Sequence, residues 1–146
     1  MKNIYYIALL LLLFFSGCTK KNTESQETPS SDDSLATYLS KANDFNSTNK
    51  KRKEYIQKAF NIILEQEDDS LQIANLFRVA NRYYNLNEWN KYRDIAKIVL
   101  EKSLENKDTL STAKAYSYLG DYYGSQGISD TAFSYYYKAE KMYLKQ

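Results

Sequence analysis

The feature that most constrains the fold of this chain is a tripeptide that occurs three times at nearly regular intervals. Asp33-Ser34-Leu35, Asp69-Ser70-Leu71 and Asp108-Thr109-Leu110 begin successive segments that are 36 and 39 residues apart. Asp, Ser and Thr side chains accept hydrogen bonds from the free backbone N–H groups at the start of a helix, so the tripeptides predict three helix N-caps. The alternative interpretation is that they are acceptors for a bacterial O-glycosylation system that reads such tripeptides.

Each segment continues with a large, a small and a large residue at positions i, i+4 and i+7. This spacing places the three residues on one face of a helix, where the small residue lets a neighbouring helix approach closely. The three sets are Tyr38, Ala42 and Phe45; Leu76, Ala80 and Tyr83; and Tyr116, Gly120 and Tyr123. Four Gly and one Pro are few for a turn-rich β fold. The pattern therefore predicts an all-α protein.

The third segment resembles the tetratricopeptide repeat in both residue type and spacing. The matching positions are Tyr116, Leu119, Gly120, Tyr123, Gly127, Ala132, Tyr136 and Ala139. The second segment matches at Leu76, Val79, Ala80, Tyr83 and Ala96, but has Tyr92 where the family has a small residue.

This resemblance implies three stacked helix-turn-helix hairpins that form a short right-handed solenoid over residues 34–146. The expected helices lie near 34–46, 50–66, 70–85, 88–105, 109–124 and 129–145.

In this repeat family the first helices of successive hairpins line a concave groove that binds partner proteins or peptides. The resemblance implies that the following residues face such a groove: Ala36, Leu39, Asn43, Phe77, Arg78, Asn81, Tyr84, Lys114, Ser117 and Asp121. Asn43 and Asn81 can both donate to and accept from the backbone of an extended peptide, and Phe77 and Tyr84 would anchor apolar side chains. The alternative is that both Asn residues only cap or solvate helix surfaces.

Only part of the family's carboxylate-clamp pattern, Arg78 and Lys114, is present. Recognition of a peptide C-terminus is therefore not implied.

The N-terminal segment is typical of an export signal. Lys2 precedes an apolar stretch from Ile4 to Phe15, which is too short to span a membrane. The sequence Phe15-Ser16-Gly17-Cys18 resembles the lipobox of bacterial lipoproteins, which implies that residues 1–17 are removed and that Cys18 is acylated. Residues 18–33 are polar and predict a flexible tether. An ordinary secretory signal with a chance cysteine is the alternative.

Composition excludes several function classes. The chain has no His, and Cys18 is its only Cys, so common catalytic, metal and disulfide sites are missing. The 20 Lys and Arg nearly balance the 18 Asp and Glu, which argues against a nucleic-acid binder. We therefore expect neither enzymatic activity nor a cofactor or metal.

The combined features predict a protein–protein interaction module that is lipid-anchored in the bacterial cell envelope. Thr19 follows the cysteine where inner-membrane lipoproteins carry Asp, which favours the outer membrane. The alternative function is a truncated sensory ectodomain of a bacterial signalling or transcription regulator.

The last predicted helix carries aromatic residues on more than one face, and no polar capping helix follows it. This end predicts either a continuing chain or a docking surface for a partner or for a second copy through the C-terminal helix.

Overall fold

The computed structural model describes residues 31–67 and 70–144, and these ranges contain six α-helices and no β-strand. The helices are α1 (Ser31–Ala42), α2 (Asn49–Leu64), α3 (Ser70–Tyr84), α4 (Trp89–Glu105), α5 (Thr109–Ser125) and α6 (Ser129–Tyr143). The all-α prediction is thus confirmed. The predicted leader, Cys18, the tether up to residue 30 and the Asp69 cap lie outside the described residues.

Helices α3, α4 and α5 begin and end within one residue of the prediction, whereas α1 differs at both ends. It begins at Ser31, inside the segment predicted as tether, so Asp33 lies in the helix and not ahead of it. It ends at Ala42 because the carboxylate of Asp44 accepts from the Asn46 N–H (2.9 Å) and from the Ser47 hydroxyl (3.0 Å). Such local side-chain hydrogen bonds compete with helix formation.

The placement of Phe45 on the core face of α1 is therefore wrong. Phe45 lies beyond the helix and is 78% exposed. The Arg52 guanidinium stacks 4.9 Å above the centre of its ring.

Two helix starts show the expected capping chemistry. The Asp108 side chain accepts a hydrogen bond from the Ser111 N–H at 3.0 Å, as the tripeptide pattern predicts, and α5 follows directly. Its hydrogen bonds with Ser111 lower the pKa of the Asp108 carboxyl. Thr48 caps α2 in the same way through the Lys51 N–H at 3.4 Å.

Each helix packs against the next one in sequence, and α1 also contacts α3. The small residues of the repeated pattern are buried where helices meet, as predicted: Ala42, Ala80, Ala96, Gly120, Ala132 and Ala139. Tyr92 is among the largest fully buried side chains. None of the helices in the described ranges combines the length and the apolarity that crossing a bilayer requires.

The same turn joins α3 to α4, α4 to α5 and α5 to α6. Each turn contains one residue with a left-handed backbone, namely Asn87 (φ 56°), Lys107 (φ 55°) and Gly127 (φ 73°). The N–H of the next residue then donates back to a carbonyl in the last turn of the helix: Glu88 to Tyr83 (3.0 Å), Asp108 to Ser103 (2.8 Å) and Ile128 to Tyr123 (2.9 Å). This is the Schellman arrangement, which satisfies carbonyls that a helix end leaves free.

Candidate functional site

An open groove of about 480 Å³ lies between α1 and α3. We call it the arginine groove, and its lining residues are Ala36, Leu39, Ser40, Asn43, Asp44, Arg78 and Arg82. Four of the groove positions implied by the sequence come together here: Ala36, Leu39, Asn43 and Arg78. The first and third helices of the chain thus supply one continuous concave surface.

Arg82 is a groove residue that the sequence analysis did not identify. It lies four residues after Arg78, so the two guanidinium groups project from the same face of α3. The i, i+4 spacing of the two arginines is visible in the sequence, so Arg82 could have been predicted as a neighbour of Arg78 on the same helix face. The resemblance to the repeat family does not predict Arg82, because the groove-facing positions of the family correspond to other residues of this helix, among them Arg78 and Asn81.

The two arginines of the groove are held by neutral acceptors. Arg82 donates from Nε to the Leu39 carbonyl at 3.4 Å, and Arg78 donates from Nη1 to Oδ1 of Asn75 at 3.1 Å. Neither forms an ion pair within the described residues. Partial burial, followed by the charges of Arg78 and Arg52, lowers the pKa of the Arg82 guanidinium. The groove therefore holds positive charge that the described part of the fold does not neutralise.

Arg52 supplies a third cation beside the groove. It is only 5% exposed, and its Nε donates to the Ala42 carbonyl at the end of α1 (3.0 Å). Its Nη2 is buried and has no hydrogen-bond partner among the described residues. Asp44, the carboxylate in the lining, is engaged by Asn46 and Ser47, and these hydrogen bonds lower its pKa.

A smaller cavity of about 210 Å³ adjoins the arginine groove. Its lining shares Ala36 and Arg78 with the groove and adds Leu35, Leu71 and Asn75. The Leu71 side chain is exposed there. The combined surface thus places an apolar patch next to two guanidinium groups. A guanidinium is a planar donor that matches a carboxylate in a bidentate way, so the surface suits an acidic group beside an apolar one.

The remaining predicted groove residues lie on α3 and α5 outside the lining of the arginine groove, and most of them are already engaged. Phe77 is only 5% exposed, because its ring packs against Tyr118 at 5.1 Å and the Lys114 ammonium lies 4.2 Å above it. The expectation that Phe77 is an open apolar anchor is corrected accordingly. Asn81 accepts a hydrogen bond from the Tyr118 hydroxyl at 2.8 Å, so its amide oxygen also has an internal partner.

Asp121 is the centre of a hydrogen-bonded tyrosine pair. One carboxylate oxygen accepts from the Tyr92 hydroxyl (2.9 Å) and the other from the Tyr136 hydroxyl (2.8 Å). Burial and the neighbouring Asp121 carboxylate raise the pKa of Tyr92 and raise that of Tyr136 to about 12. The Asp121 carboxylate therefore connects α4, α5 and α6.

The last two predicted groove residues contact their own surroundings in different ways. Tyr84 keeps part of its side chain exposed while its ring packs edge-on against Trp89 (5.1 Å) and Tyr92 (5.4 Å). The Ser117 hydroxyl donates to the Ala113 carbonyl at 3.2 Å, within α5. The structure thus leaves four of the ten predicted groove residues in an open cavity, and Asn43 and Arg78 are the two of them with hydrogen-bonding side chains.

Comparisons of the chain with protein-family models, with curated proteins and with solved structures return no match.

Proposed function

We propose that this protein is a non-catalytic interaction module that is lipid-anchored through Cys18 at the bacterial cell envelope. In this proposal α1–α2, α3–α4 and α5–α6 are three tetratricopeptide-like hairpins of a short right-handed solenoid, and the arginine groove binds a segment of a partner protein. The packing of each helix on the next, and the buried small residues at the helix contacts, support the stacking of hairpins.

The observation that supports the binding function is the excess positive charge of an open cavity, in which Arg78 and Arg82 form no ion pair within the described residues and only one carboxylate, Asp44, is present. The free energy of the groove falls when an anion enters, because charge-assisted hydrogen bonds to a guanidinium are stronger than neutral ones. The adjoining Leu35 and Leu71 surface favours an apolar side chain next to that anion. The preferred ligand is therefore an extended peptide in which an Asp or Glu lies beside an apolar residue.

Selection from a library of displayed random peptides tests this function. The chain should enrich peptides with an acidic residue next to an apolar one, and the double variant Arg78→Gln with Arg82→Gln should weaken their binding by at least about tenfold. Asn43→Ala should weaken binding less, because an amide contributes a neutral hydrogen bond. Binding is measured by fluorescence anisotropy of the selected peptides at two salt concentrations.

Arg93→Gln is the matched control, since Arg93 lies on α4 and pairs with Asp94 at 2.7 Å, outside the groove lining. Combined with Lys91→Gln, at an exposed position of the same helix, it removes the same two positive charges and should leave peptide binding unchanged. Equal losses in the control and in the groove variant would mean that only net charge matters. Selected peptides that bind the groove variant with full affinity would refute the assignment.

A further inference from the structure

The exposed apolar side chains of this protein are concentrated at one end. Twelve large apolar residues are exposed within the described ranges, and six of them lie between residues 128 and 144: Ile128, Phe133, Tyr136, Tyr137, Tyr143 and Leu144. Phe133 and Leu144 are 73% and 79% exposed. A concentration of exposed apolar side chains in one region of a folded protein marks an interaction face.

Four exposed residues of α6 and its C-cap form a straight stripe. Phe133, Tyr137, Glu140 and Leu144 follow one another at i, i+4, i+7 and i+11, the spacing of a helix seam. The opposite side of α6 packs on α5 through Ala132, Ala139 and Tyr135. The stripe is therefore a second seam, distinct from the one that holds α6 in the fold.

The polar members of the stripe complement each other. Glu140 forms no ion pair within the described part of the chain, and the Lys141 ammonium lies 4.5 Å above the Tyr137 ring. A carboxylate in an apolar seam needs a hydrogen-bond donor, and the Tyr137 hydroxyl is a donor that can satisfy it. Within one chain the two side chains form no hydrogen bond with each other among the described residues, so a second copy of the stripe can supply the missing partner of each.

We propose that a second copy of this chain covers the stripe, with the two α6 helices antiparallel about a two-fold axis between residues 137 and 140. This register places Phe133 of each chain against Leu144 of the other, and Tyr137 against Glu140. The Tyr137 hydroxyl donates to the Glu140 carboxylate, and Lys141 adds positive charge beside it. The interface is isologous, as expected for a two-fold dimer.

The antiparallel direction follows from the charges. A parallel pair would place Glu140 beside Glu140, and like charges at neighbouring positions of packed helices are destabilising. It would also align the two helix dipoles, whereas the antiparallel pair opposes them. The dimer is independent of the arginine groove, whose lining contains no residue of α6.

Disulfide crosslinking between two singly substituted chains tests the register. Every sample contains the whole chain with Cys18→Ser, kept in detergent, so that the introduced cysteine is the only thiol. Mixing Phe133→Cys with Leu144→Cys chains should give a crosslinked dimer of the two, about tenfold more than either chain gives alone. Equivalent residues are too far apart for a disulfide, because residue 133 lies about 16 Å from its mate along the helix.

Two results would overturn the proposal. Crosslinks that form equally well in Phe133→Cys alone and in Leu144→Cys alone would show a parallel or a non-specific contact. A monomer with no crosslink in any sample would show that something other than a second copy covers the stripe.

Sedimentation of the whole chain in detergent gives a second measurement that needs no cysteine. Phe133→Ser with Leu144→Ser should raise the dimer dissociation constant at least roughly tenfold. The matched control, Leu104→Ser with Leu110→Ser, removes two exposed leucines outside the stripe and should leave the constant unchanged. Circular dichroism confirms that both double variants keep their helices, so a loss of association cannot be a loss of fold. An unchanged constant in the stripe variant would contradict the proposal.

Discussion

The first helix pair, α1 and α2, has a buried aliphatic core with cations packed at its edge, and we call it the cationic pair. Arg52 on α2 donates to the carbonyl of Ala42 at the end of α1 (3.0 Å). The Lys41 ammonium lies 5.5 Å from the centre of the Tyr55 ring, and Lys58 lies 5.4 Å from that of Tyr38. These contacts bury the stems of long charged side chains and keep most of their charges near water.

The last helix pair, α5 and α6, is held together largely by rings. Tyr123 and Tyr135 stack at 5.4 Å with an angle of only 8° between their planes. The Tyr136 ring lies directly on Gly120, where any side chain would collide with it. Close approach of two helices through a small residue and a flat ring keeps charged side chains out of that contact. The exposed Lys138 ammonium lies at its edge, 5.0 Å from the centre of the Tyr135 ring.

The difference between the two pairs explains why they display different surfaces. The cationic pair contributes one wall of the arginine groove, whose Arg78 and Arg82 come from α3 and outnumber the single carboxylate of the lining, Asp44. Such a surface suits an acidic ligand that binds and dissociates. In the aromatic pair the small residues lie in the contact between the helices, and large apolar side chains remain exposed on the outer surface. Such a surface suits contact with another protein surface. Under the two proposals above, one helix-pair architecture would serve two kinds of recognition, because the residues at the helix contact determine which side chains remain for the surface.

Replacing Gly120 by alanine tests the aromatic pair and should have the largest effect. A Cβ at this position would lie 2.5 Å from Cε1 of Tyr136 and 2.9 Å from its Cζ, so the ring must move. The movement would also lengthen the hydrogen bond between Tyr136 and Asp121. We expect Gly120→Ala to lower the free energy of unfolding by about 2 kcal/mol, measured by urea denaturation.

Gly124 provides the control for this substitution, one helical turn further along α5. A Cβ there would meet its nearest neighbours at 3.9 Å, an ordinary contact, and alanine favours the helix by about 1 kcal/mol. Gly124→Ala should therefore be neutral or stabilising. Similar losses of stability in both variants would show that the ring-on-glycine contact does not hold α5 and α6 together.

Replacing Arg52 by alanine tests the cationic pair and should have a smaller effect. The substitution leaves the buried Ala42 carbonyl without its donor and removes the guanidinium that stacks on the Phe45 ring. However, it also removes a buried guanidinium whose Nη2 has no partner in the described structure, which offsets part of the loss. We expect a net decrease of about 1 kcal/mol in the free energy of unfolding.

Substitution of the neighbouring Lys51 is the control for Arg52, because it removes the same charge without removing a buried hydrogen bond. Lys51 is exposed in the first turn of α2, where the helix dipole disfavours a cation. Lys51→Ala should therefore leave stability unchanged or raise it slightly. If Arg52→Ala proved equally harmless in the same thermal unfolding assay, the hydrogen bond to Ala42 would not stabilise the first pair.

The sequence predicts the helices well because their signals are local. Periodicity, the Asp108 cap and the buried small residues each depend on positions within a few turns of one another. The exception is the end of α1, where the Asp44 side chain forms a turn that helix periodicity does not report. Phe45 consequently leaves the core face on which its spacing places it.

The sequence predicts the candidate site only in part, because a helical face does not reveal what packs on it. Asn43 and Arg78 reach the open groove, whereas Phe77, on the same helix as Arg78, is covered by Tyr118 and Lys114 of α5. Tyr92 lies where the repeat family has a small residue. It is accommodated because the Asp121 carboxylate accepts a hydrogen bond from its buried hydroxyl. Such contacts join residues about 30 to 40 positions apart and depend on tertiary packing, which a single sequence does not specify.

The smallest expected effect concerns the turn between α4 and α5, which connects two parts of the molecule, the middle helix pair α3–α4 and the aromatic pair α5–α6. Lys107 has the same left-handed backbone there that Gly127 has between α5 and α6. A non-glycine residue strains this conformation by about 1 kcal/mol, and glycine relieves the strain while giving the unfolded chain more freedom. Lys107→Gly should therefore raise the free energy of unfolding by about 0.5 kcal/mol, whereas Gly127→Ala should lower it by about 1 kcal/mol. Opposite shifts of the urea midpoint at a constant slope would show that the two turns are equivalent in solution. Shifts of the same sign would mean that one of the two turns does not keep its left-handed residue, and that the two parts are joined differently.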